Sequence, residues 1–158
     1  MAGIRIFSTA VAPEWIDYNG HLRDAYYTLI LSLATDALMD RVGLDAEYRA
    51  RTRCTLYTLE LHLHFLHEVR GDERVEADLR LLAVDAKRIH AAFELAVARV
   101  TGPVATGEML LLHVEQGDEP KSAPFPVAVR AALDALELDS RAMPAAGPGS
   151  RAMGLVRR

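Results

Sequence analysis

The residues in this sequence best suited to chemistry are crowded into one short segment, Asp17-Tyr18-Asn19-Gly20-His21. An aspartate can activate a water molecule or attack an electrophilic carbonyl itself. A histidine four positions on can orient that carboxylate through a ring hydrogen bond, or merely satisfy a loop carbonyl. On residue type alone, the stronger reading of Asp17 is an ordinary turn or capping aspartate, because Asp in turns bonds its own nearby backbone. Asn19 suits an Asx-turn or helix-entry position, and Gly20 lets the backbone turn sharply.

A second group lies on an alternating stretch, where Glu60, His62 and His64 fall on one side. Imidazoles two apart on a strand project together, which a metal site could use. The plainer reading is a solvated or subunit-facing surface, and no metal is expected. Glu60 is a second carboxylate that can orient water or pair with a cationic group; an exposed strand charge is the alternative. Trp15, Tyr26, Tyr27 and Tyr57 offer ring faces that attract cations, although Tyr26 on a helix face also reads as core. Lys87 and Arg88 are candidates for phosphate contacts, with Arg141, Arg151, Arg157 and Arg158 more remote ones. Gly102 and Gly107 do not have the spacing of a dinucleotide or phosphate loop. No Gly-x-Ser-x-Gly elbow is present, which argues against a serine hydrolase.

The elements that must position these residues follow from periodicity. A strand is expected over 4–11, closed by Pro13. Apolar residues at 26, 29, 30, 33, 37 and 38 have helical spacing, and Gly43 supplies the stop. Residues 55–65 switch to a period of two, with Tyr57, Leu59, Leu61, Leu63 and Phe65 on one side. Strands are expected over 74–84, 88–100 and 104–115 as an antiparallel meander, then an amphipathic helix over 126–138 opened by proline. Strand, helix, then four long strands is an α+β pattern, in which a curved antiparallel sheet and one long helix bury a face against each other.

The totals bound the function. The 158 residues fit a single domain, expected over 1–143, with a flexible tail over 144–158 rich in Gly, Pro, Ala and Arg. A formal charge of -4, from 22 acids and 18 bases spread along the chain, gives no footprint for nucleic acid. No apolar run approaches the ~20 residues needed to span a bilayer. One cysteine and an N-terminus without a long apolar region point to the cytoplasm.

The segment from Trp15 to Tyr27, with Asp17 three residues before Gly20-His21 and just ahead of the helix, resembles the signature of 4-hydroxybenzoyl-CoA thioesterase-type hotdog enzymes. Tyr57-Thr58-Leu59-Glu60, Asp85 to His90 and Glu108 to Val114 are similar to the betainyl-CoA thioesterases of bacterial carnitine breakdown. Where the family commonly carries Met then Asn after Gly-His, this chain has Leu22 and Arg23.

The resemblance implies a hotdog fold and hydrolysis of an acyl-CoA, with betainyl-CoA the preferred substrate and coenzyme A present only as part of it. It implies no cofactor, no metal, and a homodimer or homotetramer with its pocket at a subunit interface. Asp17 is then the nucleophile or general base, with His21 and Glu60 as supporting catalytic candidates. N–H groups of the first helical turn, near Arg23 and Asp24, would meet the developing oxyanion. Trp15, Asn19, Gly20, Asp24, Tyr27 and Tyr57 would surround the substrate, and Lys87 and Arg88 would contact its CoA portion. The rivals are a hotdog dehydratase and a non-catalytic acyl-CoA-binding protein on the same fold.

Overall fold

The computed structural model describes residues 3–143; the expected tail over 144–158, with Arg151, Arg157 and Arg158, lies outside the described residues. The chain runs β1 (Ile4–Ala10), a 3-10 turn (Pro13–Trp15), α1 (Asp24–Val42), α2 (Ala46–Thr52), β2 (Cys54–Phe65), β3 (Arg74–Val84), β4 (Arg88–Ala96), β5 (Ala105–Glu115), β6 (Lys121–Ser122) and α3 (Val127–Arg141). The six strands form one antiparallel sheet in the order β1-β3-β4-β5-β2, with β6 on β5.

The expected meander of β3, β4 and β5 holds, while β2 crosses over to pair with β5 and leaves β1 beside β3. β4 ends at Ala96 rather than 100, because Val97 to Val100 closes a turn (Val100 N–H to Val97 O, 3.3 Å). Pro126 caps α3 from outside, with φ −57° and ψ 151°, instead of standing in its first turn. Helix α2 has no counterpart among the expected elements. Asp45 starts it by accepting the Tyr48 N–H at 2.8 Å, a side-chain cap.

Helix α1 lies on the sheet through Tyr27, Ile30, Leu31, Ala34, Leu38, Met39 and Val42, all buried. The predicted stripe is therefore turned by about one residue, or about 100°. Leu29 and Leu33 make α1 apolar nearly all round, so spacing alone could not choose the face the sheet covers; Leu29 stays exposed. Gly43 ends α1 with φ +86°, the left-handed cap that glycine adopts without penalty.

Helix and sheet approach closely at Gly107, where an added Cβ would stand 2.5 Å from Leu31 Cδ1. Thr35 on the next turn directs its hydroxyl to Leu31 O at 2.9 Å. The inward residues of the strands, Ala77, Leu79, Ile89, Ala91, Phe93, Leu95, Met109 and Leu111, join α1 and Leu133 of α3 in one core. α3 is tied to β3 where Leu81 N–H donates to Ser140 Oγ at 2.9 Å. No helix among the described residues is long and apolar enough to cross a membrane.

One irregularity changes the reading of β2. Between Thr58 and Glu60 its register with β5 slips by one residue, so Leu59 is a bulge. Tyr57 pairs with Leu112 and Glu60 with Leu110, both on the outer face of β5, while Leu61 and Leu63 pair with Met109 and Gly107 on the inner face. The expected single apolar side from Tyr57 to Phe65 is thus split. Tyr57 shares the outer face with Glu60, His62 and His64.

Candidate active site

The segment from Asp17 to His21 is a closed turn. Asp17 N–H donates to His21 O at 2.8 Å and Gly20 N–H to Asp17 O at 3.0 Å, with Ile16 bridged to Leu22 just outside. Gly20 sits at φ +81°, a conformation side chains rarely tolerate, which explains glycine there. Asp17 Oδ1 accepts the Asn19 N–H at 2.8 Å and the His21 N–H at 3.2 Å, whereas among the described residues Oδ2 meets only Asn19 Nδ2, at 3.5 Å. Hydrogen bonds from the His21 and Asn19 backbone favour the ionised form and lower the Asp17 pKa below its ordinary value. His21 therefore steadies Asp17 through its backbone. Oδ2 is the less committed oxygen.

A remote stretch completes the site. His21 is bridged to Arg70, and Leu22 N–H donates to Val69 O at 2.8 Å, which brings the β2–β3 connection beside the turn. Together they enclose a cleft of about 580 Å³ lined by Asp17, Tyr18, Leu22, Arg23, Asp24 and Tyr27 on one side and by Phe65, Leu66, His67 and Glu68 on the other. Tyr27 and Phe65 meet edge to face, ring centres 5.1 Å apart. Burial raises the Tyr27 phenol above its ordinary pKa, partly opposed by a backbone hydrogen bond of Val69.

At the start of α1 the donors divide. Arg23 N–H is taken by Trp15 O at 3.0 Å, Tyr26 N–H by Arg23 O at 3.0 Å, and Ala25 N–H by Asp24 Oδ1 at 2.8 Å. Of the two N–H groups expected to meet an oxyanion, Arg23's is spent. No hydrogen bond occupies Asp24's among the described residues.

The remaining predicted residues scatter. Trp15 stacks on Tyr26, 5.4 Å between centres and 16° between planes, and neither lines the cleft. Tyr57 is on the outer face of the sheet. Glu60 lines a separate hollow of about 100 Å³ with His62, His90 and Glu108, where His90 Nε2 and Glu108 Oε1 are 2.6 Å apart. The expected gathering of four aromatics and Glu60 around one acyl pocket does not occur within a single chain. No group of three or more His, Cys, Asp or Glu suited to hold a metal is found among the described residues.

Lys87 and Arg88 stand on the β3–β4 turn with partners of their own. Lys87 Nζ donates to Ser122 Oγ at 2.9 Å, and Arg88 Nε to Asp85 Oδ2 at 2.7 Å. Backbone hydrogen bonds, first from Lys87, with the Arg88 guanidinium hold the Asp85 carboxyl at about 2. The residues the sequence reading missed are Phe65, Leu66, His67 and Glu68. No local motif marks them; only the pairing of residues 69–70 with 21–22 brings them to Asp17.

Comparison with known proteins identifies the family and the fold. The family model described as thioesterase-like superfamily matches residues 11–133. A betainyl-CoA thioesterase of Pseudomonas aeruginosa is 47% identical over 149 residues, 94% of this chain and 93% of that protein. An L-carnitine dehydrogenase/betainyl-CoA thioesterase of Agrobacterium fabrum is 39% identical over 96% of this chain, which spans 31% of that longer protein. Among solved structures, a candidate thioesterase from Pseudomonas putida superposes with a TM-score of 0.87, at 39% identity and 99% coverage of both chains. A Staphylococcus aureus protein solved in complex with CoA shares the fold at 23% identity, covering 99% of this chain and 98% of that one, with a TM-score of 0.86.

Proposed function

The chain belongs to the thioesterase-like superfamily and is a hydrolase of acyl-CoA thioesters, and on that footing we propose that its substrate is betainyl-CoA, cleaved in the Asp17 cleft to betaine and coenzyme A. The observation that carries the substrate is the 47% identity to a betainyl-CoA thioesterase over nearly the whole of both chains.

Asp17 Oδ2 attacks the thioester carbonyl carbon or takes the proton of the water that does. Oδ1 meanwhile stays fixed by the Asn19 and His21 N–H groups. The carbonyl oxygen gains negative charge as the tetrahedral intermediate forms, and the Asp24 N–H at the positive end of α1 is the donor left for it. Collapse of the intermediate breaks the C–S bond and CoA leaves as the thiolate, which takes up a proton. Where water attacks, its oxygen enters the new carboxylate directly; where Asp17 attacks, water then hydrolyses the acyl–Asp17 anhydride and restores the carboxylate. Coenzyme A enters as part of the substrate, and the scheme uses no metal or further cofactor.

The acting unit in this reading is a homodimer. β2 is a sheet edge of twelve residues, and Leu59, Phe65 and Leu66 on and just beyond it are about half exposed. A second copy of β2 would satisfy that edge. Phe65 and Leu66 also line the cleft, so the pairing would set the site at the seam between subunits. The reading places the protein in the cytoplasm, consistent with its single cysteine, Cys54, buried and free.

The test is thiol release from betainyl-CoA and from 3,3-dimethylbutanoyl-CoA, its uncharged isostere. The kcat/KM ratio should favour the cation by about tenfold or more, since aromatic and Coulomb attraction act on charge alone. A ratio near one would remove the betaine reading and leave the thioesterase assignment in place.

A further inference from the structure

We propose that Glu68, on the β2–β3 connection, is the specificity residue that selects a cationic acyl group, as the counter-ion to its quaternary ammonium. This rests on the betainyl-CoA reading and deepens it. A trimethylammonium group has no N–H to donate, so a protein can hold it only by Coulomb attraction and by the faces of aromatic rings. What it needs is a carboxylate that is ionised, unpaired and beside such rings.

Glu68 meets each condition. It lines the Asp17 cleft together with the Tyr27–Phe65 ring pair, and Phe65 is 54% exposed. Arg99, whose charge reaches Glu68, is occupied elsewhere. Arg99 Nε donates to Glu73 Oε1 at 2.8 Å and its Nη2 to the main-chain carbonyl of Glu68 at 2.9 Å, not to the carboxylate. No ion pair reaches the Glu68 carboxylate among the described residues. Its own backbone N–H, then the charges of His21, Arg99 and Arg70, keep it ionised. Its charge is also felt at the buried Tyr27 phenol, which lines the same cleft.

The other acids cannot serve as well. Asp17 is used by the reaction, and Asp24 Oδ1 holds the Ala25 N–H at the head of α1. Glu60, the sequence-level candidate for this task, faces the separate outer hollow with His62, His90 and Glu108. Against the three carboxylates lining the cleft, Arg23 is its one arginine or lysine.

The experiment compares wild type, Glu68→Gln, Glu68→Lys and Glu60→Gln, using betainyl-CoA and 3,3-dimethylbutanoyl-CoA. Glu68→Gln should lower the betainyl-to-neutral ratio of kcat/KM by about five- to tenfold. The loss should appear in KM rather than kcat, because the ammonium charge is the same in the ground and transition states. Glu68→Lys should lower the ratio further, and added salt should shrink the preference of wild type more than that of Glu68→Gln. An unchanged ratio in Glu68→Gln, or a fall confined to Glu60→Gln, with wild type still preferring betainyl-CoA, would overturn the role of Glu68 alone. A wild-type ratio near one would overturn it together with the betaine reading.

Discussion

Asp17 is held by the turn it belongs to, and that turn makes its proposed role separable from stability. Asparagine in its place keeps an oxygen to accept the Asn19 and His21 N–H groups but cannot ionise. Asp17→Asn should therefore unfold close to the wild-type temperature while kcat falls by about 10²–10⁴-fold, measured by thiol release on the purified variant. Near wild-type turnover would sink the assignment. The pH dependence has a definite sign. The pKa is lowered in the folded protein, so the stabilising hydrogen bonds to the carboxylate are complete above the ordinary aspartate value and are lost as pH falls through the folded one. The acid limb of kcat/KM set by Asp17 should accordingly lie below about pH 4. A limb near neutrality would show that another group governs turnover.

Helix α1 and strand β5 approach each other as closely as they do because residue 107 has no side chain. Leu31 is fully buried, so it has little room to retreat from a methyl group placed 2.5 Å from its Cδ1. Gly107→Ala should cost about 1–3 kcal/mol through overpacking, read by denaturant unfolding. Adding Leu31→Ala should recover part of the clash while introducing its own cavity, so the two changes should be non-additive. Strict additivity would mean that helix and sheet are not in register there. The Leu59 bulge has an equally local effect with a long reach, because one extra residue turns Tyr57 and Glu60 onto the same face and away from the cleft.

Among the described residues the fold leaves an apolar edge uncovered, and the proposed dimer follows from it. Light scattering should give a species of at least two chains. Leu59→Lys, a charge on the exposed β2 edge, should shift it toward monomer and lower activity in parallel, since the cleft shares Phe65 and Leu66 with that edge. A wild-type monomer fully active at nanomolar concentration would remove the interface site.

The sequence by itself determined the order of the main elements, the single long helix entered from Asp17-x-Asn-Gly-His, and the family to which that segment points. These are local matters: period two or 3.6, a glycine stop at Gly43, a tight turn at Gly20. Only the tertiary structure decided which face of α1 is buried, because a helix with Leu29 and Leu33 outside its buried stripe does not name its own inside. It also decided that β2 lies beside β5, that a bulge interrupts its alternation, and that residues 65–68 meet Asp17. Backbone hydrogen bonds between distant segments carry no trace in residue type, since every N–H and C=O is alike until another strand arrives to pair with it. For that reason a carboxylate in a strand pattern, Glu60, drew attention in the sequence, while Glu68, in a connection without periodicity, is the one the fold brings to the cleft.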